Sequence, residues 1–249
     1  MTDKHLPLVI RTGAIVAFLI VWELAVRWEW IDSLFLAGPI EAMREIVPVT
    51  LAAIPDIAAT LTEFAAAFAS GVAAAILIGF AINQSPYAYK VFTPLFALGV
   101  SIPKVTLLPL FLLWFGIGKP PIIVFGALSG FFPMILNVMA AASEVKPNQL
   151  LLAKAMGFGK VQIFRKVTLP SMLPVLSSGF YYACNASMMG VFIVELALAR
   201  HGLGVVVHGY AVTFKTADLY AAVIVTASIT VIINMALWYM ARYFGRWRA

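Results

Sequence analysis

Residues 57–82 read IAATLTEFAAAFASGVAAAILIGFAI, 26 consecutive residues with one charge, Glu63. About 20 mostly apolar residues in a helix are enough to cross the hydrocarbon core of a bilayer. Five further runs of this kind lie at about 8–28, 87–115, 120–142, 170–198 and 218–244. The pattern predicts an all-α membrane protein of about six transmembrane helices, forming a single transmembrane domain over residues 1–249. The run 87–115 contains Pro94, Pro103 and Pro109. Proline removes a backbone donor, so this span is expected to be kinked or broken where protein or a wet cavity covers the freed backbone. The first run has no small-residue cleavage site behind it, only Glu23-Leu-Ala-Val-Arg27-Trp28, and reads as an uncleaved span.

Composition agrees. Of the 249 residues, 63% are hydrophobic and 11% charged, and mean hydropathy is +0.98. A soluble enzyme of this size needs more charge to cover its surface. The single cysteine, Cys184, excludes a disulfide framework and any multi-cysteine metal site. The net charge of +6 is a topology signal. With six crossings, one side of the membrane owns both termini and the loops 83–90 and 143–169. Its basic residues are Lys4, Arg11, Lys90, Lys146, Lys154, Lys160, Arg165, Lys166, Arg242, Arg246 and Arg248, against Asp3 and Glu144. The other side holds Arg27, Arg44, Lys119, Arg200 and Lys215 against six acids. The excess makes the first side cytoplasmic. The basic residues sit at membrane borders, so nucleic acid is not an expected partner and membrane lipid is.

Two segments outside the spans are organised. In the outer loop 29–56, Ile40, Met43, Ile46 and Val47 share one helical face with Glu41, Arg44 and Glu45 opposite, the mark of an amphipathic helix on the outer surface. In the loop 143–169, Pro147 suits the first turn of a helix and Gly157 its end, and a second short helix, Lys160 to Val167, leads to Leu169-Pro170. Leu150, Leu151, Leu152, Met156, Phe158 and Phe164 make this basic segment too apolar for a bare loop. It needs a groove in another protein or the membrane interface.

The stretch Ala153-Lys154-Ala155-Met156-Gly157, nine residues, then Val167-Thr168-Leu169-Pro170 resembles the "EAA" loop of ABC-importer permeases. Gly157 and Leu169-Pro170 keep the family spacing. Val167 stands for its Ile and Ala153 for its second Ala, while its Glu falls on Leu151 and its first Ala on Leu152, so the acidic member is absent. Residues 101–118, SIPKVTLLPLFLLWFGIG, are similar to the third-span signature of the nitrate/sulfonate/taurine-type subfamily, and Glu195 followed by Gly202-Leu-Gly204 resembles it too. The likeness covers about residues 35–245.

The resemblance implies a type I ABC importer permease of the bacterial inner membrane: a non-catalytic subunit that works as a pair, here a homodimer. Each copy docks on a cytoplasmic ATPase and receives substrate from a periplasmic or lipid-anchored binding protein. The loop 143–169 would then hold the coupling helix, with Leu151, Ala153, Lys154, Met156, Gly157, Phe158, Lys160, Phe164 and Arg165 at the ATPase. The subfamily carries small oxyanions and sulfonates, and relatives carry thiamine precursors, riboflavin or aromatic acids. The chain itself has no phosphate-cradling loop, since Gly157-Phe-Gly159-Lys160 lacks the spacing and the Ser or Thr.

The polar residues within the spans are few. Asn185, Ser187, Met188 and Glu195 in the fifth, Asn137 in the fourth and Ser101 in the third are the candidates for a weakly polar translocation path, each also open to a structural reading. Glu23 is expected to pair with Arg27 one turn on. Lys104 either snorkels and caps freed carbonyls or attracts an anion. An intramembrane protease is excluded at the one faint candidate, Ser129 in Gly126-Ala-Leu-Ser129-Gly130. A nucleophilic serine needs a base, and His5, His201 and His208 all lie outside the spans. No metal-ligand cluster or cofactor motif occurs. A stand-alone channel or secondary transporter fits the composition but leaves the organised loop unexplained.

Overall fold

A computed structural model describes residues 6–143 and 145–245, with side chains described for 10–142 and 145–239. The charges counted above at Asp3, Lys4, Glu144, Arg246 and Arg248 lie outside the described residues, as do His5 and the side chain of Arg242. The chain runs through helices α1 (Leu6–Arg27), α2 (Pro39–Ala52), α3 (Ile54–Asn83), α4 (Pro86–Ser101), α5 (Leu108–Phe115), α6 (Lys119–Ser143), α7 (Pro147–Ala155), α8 (Lys160–Ile163), α9 (Leu169–Leu198), α10 (Leu203–Val212) and α11 (Thr216–Gly245). Among the described residues, α3, α6, α9 with its leading turn, and α11 are long and apolar enough to cross a membrane, and α4 with α5 makes one broken span. α1, 22 residues over the first expected run, carries Arg11, Glu23 and Arg27 and is not among them, so the described residues give up to five apolar spans where about six were expected.

The break falls at Pro103. Ile102 before it is extended at φ −67° and ψ 126°, the conformation that a following proline ring enforces. The two halves meet at 86° through a 3-10 turn, Lys104–Leu107. Pro94 is carried inside α4 and Pro109 sits in the first turn of α5, so only one of the three prolines breaks the span. Lys104 Nζ donates to the Val100 carbonyl at 3.4 Å, a group the interrupted helix leaves free, and lies 5.7 Å from the Phe132 ring centroid.

The core is a sandwich of α6 between α3, parallel to it, and α9, antiparallel to it. Small residues bring the backbones together, as membrane helices require when lipid is as apolar as leucine. A Cβ on Gly71 would stand 2.5 Å from the Ala127 carbonyl oxygen, and one on Gly190 would stand 2.7 Å from Ser129 Oγ. Met134, Ile135, Val138, Met172, Ala183 and Val191 fill the seams and are fully buried.

α2 lies against the bundle on one side and keeps its apolar stripe open. Ala42, Val49 and Ala53 are buried, whereas Ile40, Met43 and Val47 are exposed. The small residues fit against α11, leaving the larger apolar stripe uncovered. Glu23 makes the expected pair with Arg27 at 2.7 Å and also accepts from the first-turn Ile40 N–H of α2 at 3.2 Å. A carboxylate there satisfies an orphan donor at a positive helix end.

Candidate functional site

The segment after α6 begins at Pro147, which sits in the first turn of α7 with Lys146 extended before it. At the other end, Phe158 N–H donates to the Ala153 carbonyl and Gly157 N–H to the Lys154 carbonyl, both at 3.0 Å. Gly157 has φ +76°. This six-to-one and five-to-two pair is the Schellman stop, and the left-handed residue within it favours glycine. Ala153 is buried at the stop, while Leu151, Leu152 and Met156 are each 63% exposed. Lys154, Lys160 and Arg165 are exposed as well. Beneath the helix, a shallow groove of about 360 Å³ runs past Leu152, Ala153, Met156, Phe158 and Lys166. Lys166 Nζ lies 5.0 Å from the Phe158 ring centroid.

The second helix expected here is not a separate piece. α8 runs through a π turn, Phe164–Thr168, directly into α9. Leu169 N–H donates to the Phe164 carbonyl five residues back. Pro170 has no N–H to offer in the first turn of α9, and a widened turn accommodates the missing bond without ending the helix. The Phe164 ring packs on Phe80 at the end of α3, with centroids 6.2 Å apart. The segment is thus tied to the bundle at Phe164 while the apolar residues of α7 point outward.

The polar span residues divide. Asn185 alone among the expected path residues of α9 stands on its open face, beside Tyr181, Tyr182 and Met189, all exposed. Met188, Ser187 and Glu195 are buried inside the chain. Ser187 lies against Gly130 and Met188 in the α3–α6–α9 cluster, so of Asn185, Met188 and Met189, expected on one face of α9, Met188 turns inward and the open face carries Tyr181, Tyr182 and Met189 with Asn185. Ser101 is exposed and spends its hydroxyl on the Ala97 carbonyl at 3.3 Å. Asn137 bonds the Pro133 carbonyl at 2.8 Å and packs on Gly179.

Asn185 has a partner on α11 that the pass along the sequence did not single out. Its Nδ2 donates to Asn234 Oδ1 at 3.2 Å, and Asn234 Nδ2 donates back at 3.0 Å. Each amide also donates to its own helix, at Tyr181 and Thr230. The pair sits in an open groove of about 580 Å³ with Tyr181, Thr230, Met235 and Trp238. An amide inside the apolar run 218–244 was the signal that could have found Asn234.

At the far end from α7, Glu195 Oε2 accepts from the Thr60 hydroxyl at 3.0 Å and from Gly204 N–H at 2.9 Å. Leu203 N–H donates to Thr60 Oγ1 at 2.8 Å, and Gly202 N–H donates to Asp56 Oδ1 at 2.8 Å. Gly202 has φ +118°, and a Cβ there would meet Glu195 Oε1 at 2.6 Å. The Glu195…Gly202-Leu-Gly204 likeness is therefore one hydrogen-bonded turn that locks α10 onto α3 and α9.

The site thus comprises spanning helices with one broken span, an open groove that holds an amide pair, and a short helix with exposed leucines off one end. A family model described as "binding-protein-dependent transport system inner membrane component" matches residues 71–249, and the chain belongs to that family. It is similar to the taurine transport permease TauC of Escherichia coli K12, 25% identical over 94% of this chain and 88% of that one. It is also similar to the nitrate import permease NrtB of a Synechocystis strain, 23% identical over 80% and 75%. The fold matches a chain of the MetNI methionine ABC transporter in an inward-facing form, at TM-score 0.64 and 20% identity over 74% of this chain and 92% of that one. The protein is the permease subunit of an ABC importer, a multi-pass membrane protein.

Proposed function

We propose that two copies of this chain, a single transmembrane domain throughout, form the translocation path of an importer for a small anion of the sulfonate, taurine or nitrate kind. A cytoplasmic ATPase dimer drives it, and a periplasmic or lipid-anchored binding protein supplies it. Both termini and residues 143–169 face the cytoplasm. The observation that carries this reading is α7: a basic helix with Leu151, Leu152 and Met156 turned outward and a defined stop at Gly157. Exposed leucines beside cations suit a protein groove with an acidic rim. Lys154, Lys160, Phe164 and Arg165 extend that face, and Ala153 and Phe158 set its base. The anion class rests on relatives named for taurine, nitrate and aliphatic sulfonates. Relatives named for riboflavin and formylaminopyrimidine support a path that leaves selection to the binding protein.

Within the path, Asn185 and the open face of α9 support the lining role best. Polar groups exposed at mid-membrane gain from a second copy or from water. Ser101 and Asn137 remain proposed contributors at the broken span and on α6, with Glu195 at the outer gate. The test is purification of a tagged chain from its native membrane. An ABC ATPase should copurify, and Leu152→Glu should abolish its recovery without lowering the amount of inserted permease. Recovery of the permease with no ATPase at all would overturn the reading.

A further inference from the structure

The carboxylates of Glu63 on α3 and Glu195 on α9 are buried, and their surroundings do not balance their charge. Glu63 is 3% exposed and Glu195 1%, and Thr60, one turn before Glu63 on α3, donates to Glu195, which sets the two carboxyl groups beside each other. Glu195 Oε2 takes two donors, Thr60 and Gly204. Glu195 Oε1 and Glu63 Oε2 are buried with no donor at all. The charged groups that face the pair are Asp56 on α3, Lys119 at the start of α6 and His201 before α10. Asp56 adds negative charge and is already engaged by Gly202. Neither Lys119 nor His201 reaches ion-pair distance, since the one ion pair among the described residues is Arg27–Glu23.

Two carboxylates in contact and out of water repel each other strongly, and a buried acceptor without a donor costs its full desolvation. One proton placed between them removes both penalties. It neutralises one group and gives the facing oxygen the donor it lacks, as in other carboxyl pairs that share a site.

We propose that Glu63 and Glu195 together form a buried binding site for one positive charge, a proton held between their two carboxyl groups. The proton completes the hydrogen-bonded turn that holds α10 to α3 and α9: Thr60 and Gly204 donate to one oxygen of Glu195, and the Glu63 carboxyl donates to the other. Loss of that proton leaves two facing anions and loosens the outer end. The folded chain then binds a proton that the unfolded chain releases at neutral pH, so its stability must fall as pH rises from the ordinary carboxylate range to the release point and level off above it.

The test uses the full chain in lipid nanodiscs. Infrared spectra at neutral pH should show one protonated carboxyl that disappears in a single step on raising pH. From the ordinary carboxylate range up to that step the unfolding constant should rise about tenfold per pH unit, and level off above it. Glu63→Gln supplies an amide donor to Glu195 and should fold, lack the infrared band and lose the pH dependence, whereas Glu63→Leu should be destabilised. If Glu63→Gln fails to fold, the wild-type band and pH slope still decide. Absence of the band in the wild type, or a flat stability profile, overturns the proposal. Stabilisation by sodium over choline with no protonated carboxyl also overturns it, and assigns the same oxygens to a metal cation.

Discussion

Replacing Gly157 separates backbone geometry from side-chain contact at the face proposed to meet the ATPase. The residue holds φ +76°, and a Cβ added there would find nothing within 4 Å. A substitution therefore pays only for the left-handed conformation, about 1–2 kcal/mol for alanine, or roughly a 5–30-fold shift in population. That shift acts on the Schellman stop and hence on the outward aim of Leu152 and Met156. Asparagine visits this conformation more readily, and β-branched valine resists it more. The apparent affinity of the purified ATPase for permease in nanodiscs should thus fall in the order Asn, Ala, Val, with alanine near the 5–30-fold mark. The thermal midpoint of the spanning bundle should move little, because Gly157 is exposed and outside the core. Wild-type affinity in all three variants would refute the coupling assignment. Equal loss in all three, asparagine included, would refute the backbone argument and point to a clash with the ATPase surface.

In a Cys184→Ala background, cysteines at Ser33 and Lys215 should react with an impermeant thiol reagent added outside, and one at Gln149 should not; the reverse pattern defeats the orientation. Gly130→Ala should destabilise the bundle by about 1–3 kcal/mol through overpacking on Ser187, and Ser187→Gly should restore part of the loss in a thermal-unfolding assay. Asn185→Leu and Asn234→Leu should show a coupling of about 0.6–2 kcal/mol in a double-mutant cycle. Thiols at Tyr182 and Met189 should change reactivity when the ATPases are trapped closed, while one at Val191 stays protected; uniform labelling around α9 would make it scaffold.

The spans were legible because hydropathy and helix length are local properties. The expected run 57–82 became Ile54–Asn83, and 120–142 became Lys119–Ser143. The broken span was legible for the same reason, since proline acts on its own neighbours. Its location was not: three prolines looked equivalent, but Pro94 finds room within α4 and Pro109 falls where a helix needs no donor. The apolar stripe of α2 was legible too, but not the close approach to α11 that Ala42 and Val49 make on another side of the helix. Burial there followed the fit between helices, which no single helix encodes.

Polarity was the weakest guide to the path, and the hydrogen bonds say why. Inside a span a hydroxyl can satisfy itself on the preceding turn. Ser70, Thr93, Ser101, Ser177, Thr226 and Ser228 all donate to carbonyls three or four residues back, so their presence carries no information about water. An amide is different, because one carbonyl cannot satisfy two N–H groups and an acceptor. Asn185 and Asn234 therefore need each other, and their pairing fixes α11 against α9 at the level where both helices are otherwise apolar. Buried carboxylates are more demanding still, and Glu195 draws donors from two other elements, Thr60 on α3 and Gly204 on α10. The number of donors and acceptors a side chain must satisfy thus ranks the span residues by how far across the fold they reach. By that measure the fastenings of this permease are the outer turn at Glu195 and the amide pair at Asn185. The π turn before Pro170, held to the bundle by the Phe164–Phe80 contact, joins the segment of α7 and α8 to α9.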